Sequence, residues 1–160
     1  MTQRIHFISG LPRSGSTLLG ALLRQNPRFH ASMSSPMGAL VGANLNLMGP
    51  STEAGLLVDE EQKPRILKGL FEAFYGDNEA EVILDTNRGW CARLPLLQQM
   101  FPQARTIACV RDVSWIMDSI ERLIRKQPFQ PTRLFGGHGE AATVYSRVEA
   151  LARADRLVGF

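Results

Sequence analysis

Apolar positions along this chain switch between the period of a strand and the period of a helix. Arg4-Ile5-His6-Phe7-Ile8-Ser9 is a short β-prone run ending at Gly10, and Leu18, Leu19, Leu22 and Leu23 then recur at helical spacing until Asn26-Pro27 stops them. A second short extended run covers Phe29-His30-Ala31-Ser32. The stretch from Met33 to Gly55 is rich in Met, Ser and Gly with weak periodicity, and is expected to be irregular or mobile.

Lys63-Pro64-Arg65 opens a clear helix, with proline suited to the first turn. Ile66, Leu67, Leu70, Phe71 and Phe74 define its expected core face, and Gly76 closes it. Glu81-Val82-Ile83-Leu84-Asp85 reads as a strand, roughly Ala92 to Met100 as a helix, and Arg105 to Val110 as a further strand. Asp112 is a plausible N-cap for a helix running to about Lys126, with Val113, Ile116, Ile120 and Leu123 on one stripe. Two prolines and three glycines make Gln127 to Gly139 a loop, after which Val144, Val148 and Leu151 suggest a last helix. Strands alternating with helices predict an α/β domain, three-layered α/β/α, with a mostly parallel central sheet whose strands are apolar on both faces. All 160 residues read as one domain.

Composition narrows the class. With 44% apolar and 21% charged residues the chain has the balance of a soluble globular protein. Its 18 basic and 15 acidic residues leave a net charge of +3, too small and too dispersed to imply a nucleic-acid partner but enough for a small anionic ligand. No apolar run long enough to span a membrane and no N-terminal signal region is evident, so no membrane partner and a cytoplasmic location are expected. Cys91 and Cys109 form no CxxC pair, which predicts reduced thiols and no zinc site.

The chemistry concentrates in the turn after the first strand. Gly10-Leu11-Pro12-Arg13-Ser14-Gly15-Ser16-Thr17 sets two glycines between a strand and a helix whose free N-terminal amides face any bound anion, and Arg13, Ser14, Ser16 and Thr17 add side-chain donors. The glycine spacing is that of a Walker A loop, but Ser16 stands where its lysine belongs, which argues against triphosphate chemistry. Asp85, at the end of an apolar strand, sits like a Walker B acid and keeps a kinase-like reading open.

The run Phe7-Ile8-Ser9-Gly10-Leu11-Pro12-Arg13-Ser14-Gly15-Ser16-Thr17-Leu18-Leu19 resembles the 5′-phosphosulfate-binding loop of sulfotransferases. It is closest to the form in tyrosylprotein and bacterial members. The resemblance implies 3′-phosphoadenosine 5′-phosphosulfate (PAPS) as donor, 3′,5′-ADP (PAP) as product, and no metal. It assigns Gly10, Pro12, Arg13, Ser14, Gly15, Ser16 and Thr17 to the cofactor loop, and Arg111 with Ser119, two turns along the next helix, to the 3′-phosphate.

Arg88, in Leu84-Asp85-Thr86-Asn87-Arg88-Gly89-Trp90, matches a basic residue near the transferring group, so Arg13 and Arg88 are the implied catalytic cations. Trp90 is a candidate for the acceptor pocket, with packing the plainer role. Related enzymes place a glutamate base where this chain reads Met33-Ser34-Ser35-Pro36, leaving His30, Glu53 and Asp85 as candidates for the base.

The acceptor is expected to be a hydroxyl or amine on a small molecule or peptide. Comparison with longer family domains implies that the sheet is incomplete on its C-terminal side, so that a second copy could complete it. A PAP-binding remnant without turnover is the remaining alternative.

Overall fold

The computed structural model describes residues 4–127 and 143–158. Its strands are β1 (Arg4–Gly10), β2 (Phe29–Ala31), β3 (Val82–Thr86) and β4 (Thr106–Cys109). They form one sheet in the order β2-β3-β1-β4, and every pairing is parallel. Between them run α1 (Ser16–Leu23), α2 (Met37–Leu47), α3 (Glu53–Leu57), α4 (Gln62–Tyr75), a single 3₁₀ turn (Cys91–Arg93) and α5 (Leu94–Met100). After β4 come α6 (Val113–Lys126) and α7 (Val144–Val158). The fold is α/β with helices on both faces of the sheet, as the alternation predicts.

The period of two along the strands divides the core. Ile5, Phe7 and Ile83 point to one face, where they pack with Met37 and Val41 of α2, Leu67 and Phe71 of α4, and Leu97 and Met100 of α5. Ile8, Ala31 and Leu84 point to the other, where Leu19 and Leu23 of α1 cover them. Ile116 and Ile120 of α6 form a third cluster with Leu11 and Ala150.

Three expectations need correction. Met33 to Gly55 is not irregular throughout, since α2 occupies its middle and buries Met37, Gly38 and Val41. The inward face of α4 is Leu67, Phe71 and Tyr75, whereas Ile66 and Phe74 are substantially exposed. On α6, Ile116 and Ile120 are buried while Val113 and Leu123 remain accessible. Asp112 does cap α6, accepting from the Ser114 amide at 2.8 Å. The loop expected before Gly139, with His138, lies outside the described residues beyond Gln127, as does the side chain of Leu151.

The chain leaves β1 toward β2 and leaves β3 toward β4, so adjacent strands send their connections in opposite directions along the sheet. The carboxyl ends of such a strand pair open a crevice, which is where ligands bind in open α/β sheets.

Candidate functional site

A cleft of about 700 Å³ opens at that edge. Its floor is the β1–α1 loop, whose backbone takes three left-handed turns: Gly10 at φ 152°, Arg13 at 70° and Gly15 at 109°. Gly10 is required by contact as well as by φ, since a Cβ there would lie 2.6 Å from the Cys109 carbonyl oxygen on β4. Gly15 is the N-cap of α1 and no side chain caps the helix, so the first-turn amides keep their donors for a ligand. Gly10, Pro12, Arg13, Gly15, Ser16 and Thr17 all border the cleft, together with Arg88 and Arg111.

Ser14 turns away from it. The Ser14 hydroxyl is buried without a partner among the described residues and lies 2.6 Å from where a Gly10 Cβ would stand, so it backs the loop from behind.

The two sequence motifs meet through Arg13. Its Nε donates to the Ser119 hydroxyl at 2.9 Å, and an Arg111 guanidinium N–H donates to the Arg13 carbonyl at 3.0 Å. These bonds hold a non-glycine residue in the left-handed region, a conformation that costs roughly 1–2 kcal/mol. Ser119 is half-buried behind Arg13, and Arg111 also stacks 6.0 Å from the Trp115 ring.

The opposite wall comes from the end of β3. The Ser9 hydroxyl donates to the Arg88 carbonyl at 2.9 Å and accepts from the Cys91 amide at 3.2 Å, tying this loop to β1. Asn87 Oδ1 accepts from the Gly89 amide at 2.9 Å, a local turn that leaves the Arg88 side chain exposed over the cleft. Thr86 adds a buried hydroxyl with no partner among the described residues. Ser9, Thr86 and Asn87 were missed in the sequence reading, and only the Asn-x-Gly spacing signalled any of them.

A family model for the sulfotransferase family matches residues 6–159, a span that holds every residue of this cleft. The chain belongs to the sulfotransferase family. No curated protein matches it.

For a sulfotransferase the proton acceptor matters, and none of the three expected candidates borders the cleft. His30 lies on β2 with Nδ1 2.8 Å from Asn78 Nδ2 and its ring edge-on to Tyr75. Glu53 begins α3. Asp85 is fully buried and receives three donors: Ser35 Oγ at 2.6 Å, Tyr75 OH at 2.6 Å and Trp90 Nε1 at 2.6 Å. That carboxyl faces the core, so it is placed neither as a base nor as a Walker B acid. Trp90 is likewise fully buried and belongs to the core instead of an acceptor pocket. Burial, reinforced by the Asp85 charge, holds the Tyr75 phenol far above its usual range, so it stays a donor.

Cys91 and Cys109 are free thiols, half-buried. Burial raises the Cys109 value, with Cys91 a smaller contribution. Among the described residues no His, Cys, Asp and Glu cluster could hold a metal. No helix among them is long and apolar enough to cross a membrane.

Proposed function

We propose that this chain binds PAPS in the cleft and transfers its sulfuryl group to a hydroxyl or amine acceptor. The observation that carries the reading is the convergence of Arg13, Arg88 and Arg111 on one cleft above uncapped helix amides. The residues fit an anionic donor: the loop offers backbone amides at Gly15 and Ser16, and the Thr86 hydroxyl at the cleft wall lacks a partner among the described residues. When bound, the donor supplies a sulfuryl group to the acceptor oxygen or nitrogen and departs as PAP with the electron pair of the broken S–O bond.

The protein's part is then positional and electrostatic. The loop amides with Ser16 and Thr17 hold the 5′ side, and Arg111 with Ser119 holds the 3′-phosphate. Arg13 spans the two, because its backbone belongs to the first group and its guanidinium reaches the second. Cations fixed before reaction stabilise the charge that grows on the leaving oxygen, an effect worth about 3–4 kcal/mol per well-placed donor. In this reading Arg88, on the facing wall, neutralises the transferring group. The sulfotransferase reading needs no lysine at position 16, whereas triphosphate chemistry does.

Calorimetric titration with PAP, 5′-AMP and ATP, with and without magnesium, tests this. Magnesium-independent PAP binding with 5′-AMP about tenfold weaker or more is the expected result, since the 3′-phosphate forms charge-assisted bonds of its own. Arg111→Ala should erase that preference. Equal affinity for PAP and 5′-AMP in the unaltered chain would overturn the two-phosphate reading, and magnesium-dependent ATP binding alone would favour the kinase-like one. Turnover with a positive acceptor screen would separate an enzyme from a PAP-binding remnant.

A further inference from the structure

α1 is apolar on two sides, and the fold uses only one. Leu19 and Leu23 cover the sheet, while Leu18 is 66% and Leu22 55% exposed, with Ala21 also exposed between them. Leucine is not needed there for helix formation, because Lys, Glu or Gln serve an exposed position about as well. Positions i, i+3 and i+4 share a face, so Leu18, Ala21 and Leu22 form a continuous outward stripe.

The stripe has a neighbour and a direction. Gly20 is buried where α1 crosses the segment after β2, and a Cβ on it would stand 3.1 Å from the Ser32 carbonyl oxygen and 3.9 Å from Met33 Cα. That contact lies on the buried side of α1, roughly opposite Leu18 and Leu22, and Met33, 57% exposed, meets the stripe where both border the cleft. Leu18, Ala21 and Met33 border the same cleft as Arg13 and Arg88, and Leu22 continues the stripe away from it by one helical turn. The wall therefore begins at the cations and runs outward along the helix axis.

Arg13, Arg88 and Arg111 border the cleft and, among the described residues, no Asp or Glu does, so the charge lining it repels a polycationic acceptor. Both ends of the Asn87 amide are engaged, Nδ2 with the Ser35 carbonyl at 3.3 Å and Oδ1 with the Gly89 amide at 2.9 Å. Among the described residues no aromatic ring borders the cleft.

From these observations we infer that the acceptor is lipid-like: a terminal alcohol or amine on an extended alkyl or acyl chain, its reacting group between Arg13 and Arg88 and its chain along Leu18, Ala21, Met33 and Leu22. The inference names the acceptor of the sulfuryl-transfer reading above and rests on it.

The test is a titration of the full chain, free and PAP-saturated, with 1-butanol, 1-hexanol and 1-octanol, followed by NMR of the Met33 ε-methyl and the leucine methyls. Burying each added methylene should tighten binding about threefold to fourfold, with the Met33, Leu18 and Leu22 signals shifting together. Leu18→Ser and Leu22→Ser, whose exposed sites leave folding intact by circular dichroism, should flatten the chain-length slope, and Leu22→Ser, one turn beyond the cleft, should leave PAP affinity unchanged. Affinity independent of chain length, or a slope unaltered in both variants, overturns the inference. So does sedimentation that finds a dimer dispersed by Leu22→Ser without change in alcohol binding, because a second copy would then be the occupant. If PAP fails to bind, the donor reading falls, and the chain-length slope on the free protein still decides the nature of the wall.

Discussion

Arg13 joins a strained backbone to a functional side chain, and the two can be separated by substitution. Its φ of 70° is unfavourable for any residue with a Cβ, while its guanidinium reaches Ser119. Arg13→Ala and Arg13→Gly should lose PAP affinity and turnover alike, with turnover down about 30- to 1000-fold for a lost charge-assisted donor. They should differ in stability, because glycine relaxes the left-handed turn: Arg13→Gly is expected to be about 1 kcal/mol more stable than Arg13→Ala in urea unfolding. Equal midpoints would mean that the backbone there is unstrained. Gly10 offers the complementary case. Gly10→Ala adds both left-handed strain and a methyl 2.6 Å from a β4 carbonyl, whereas Gly15→Ala meets strain with no atom within 4 Å. Thermal melts should rank Gly10→Ala below Gly15→Ala by several degrees, as about 2 kcal/mol of added overlap implies for a domain of this size.

At the scale of elements, Asp85 fastens three of them. Ser35, just before α2, Tyr75 at the end of α4, and Trp90 before the 3₁₀ turn all donate to it from inside the core. Asp85→Ala strands those donors and should cost about 3 kcal/mol or more in unfolding free energy. Asp85→Asn should cost clearly less. The amide oxygen can keep the indole N–H, and the two hydroxyls can rotate to accept from the amide NH₂. Matching losses for both substitutions would show that charge, and not donor count, holds the network.

This network also explains what the sequence concealed. Tyr75 continues the face of Leu67 and Phe71, and its hydroxyl is buried against Asp85 on β3, a partner that helical spacing alone does not reveal. Leu67 and Phe71 were legible from spacing, but Ile66 and Phe74 fit the same apolar stripe and turn out exposed, since the sheet covers a narrower arc than the stripe offers. α2 was obscured by Gly38 and Gly42, yet those glycines mark close packing. A Cβ at Gly38 would stand 2.3 Å from the Asn87 side chain, and one at Gly42 2.8 Å from the Arg93 guanidinium.

Across the whole molecule, the strands and the loop chemistry were readable locally, but the order β2-β3-β1-β4 was not, because inserting β3 beside β1 joins segments far apart in sequence. That insertion is what brings Arg88 opposite Arg13. β4, at one edge of the sheet, is held at its start by His6: Nδ1 on β1 accepts the Arg105 amide at 3.0 Å. Partial burial, then the charges of Arg105 and Arg4, lower the His6 pKa below its ordinary 6.5. The unfolded chain therefore takes up the proton first as pH falls. His6 contributes its full share of stability above pH 6.5, and that share is lost as pH drops below 6.5 toward the folded value. Protonation also removes the acceptor that the Arg105 amide uses. His6→Asn keeps an acceptor that does not titrate, so its melting temperature should change less between pH 7.5 and 5.5, about one unit either side of an ordinary imidazole. The two proteins differ only at residue 6, so the difference between the two curves belongs to that side chain. Parallel curves across that range would remove His6 as the acid-sensitive tie between β1 and the sheet's edge.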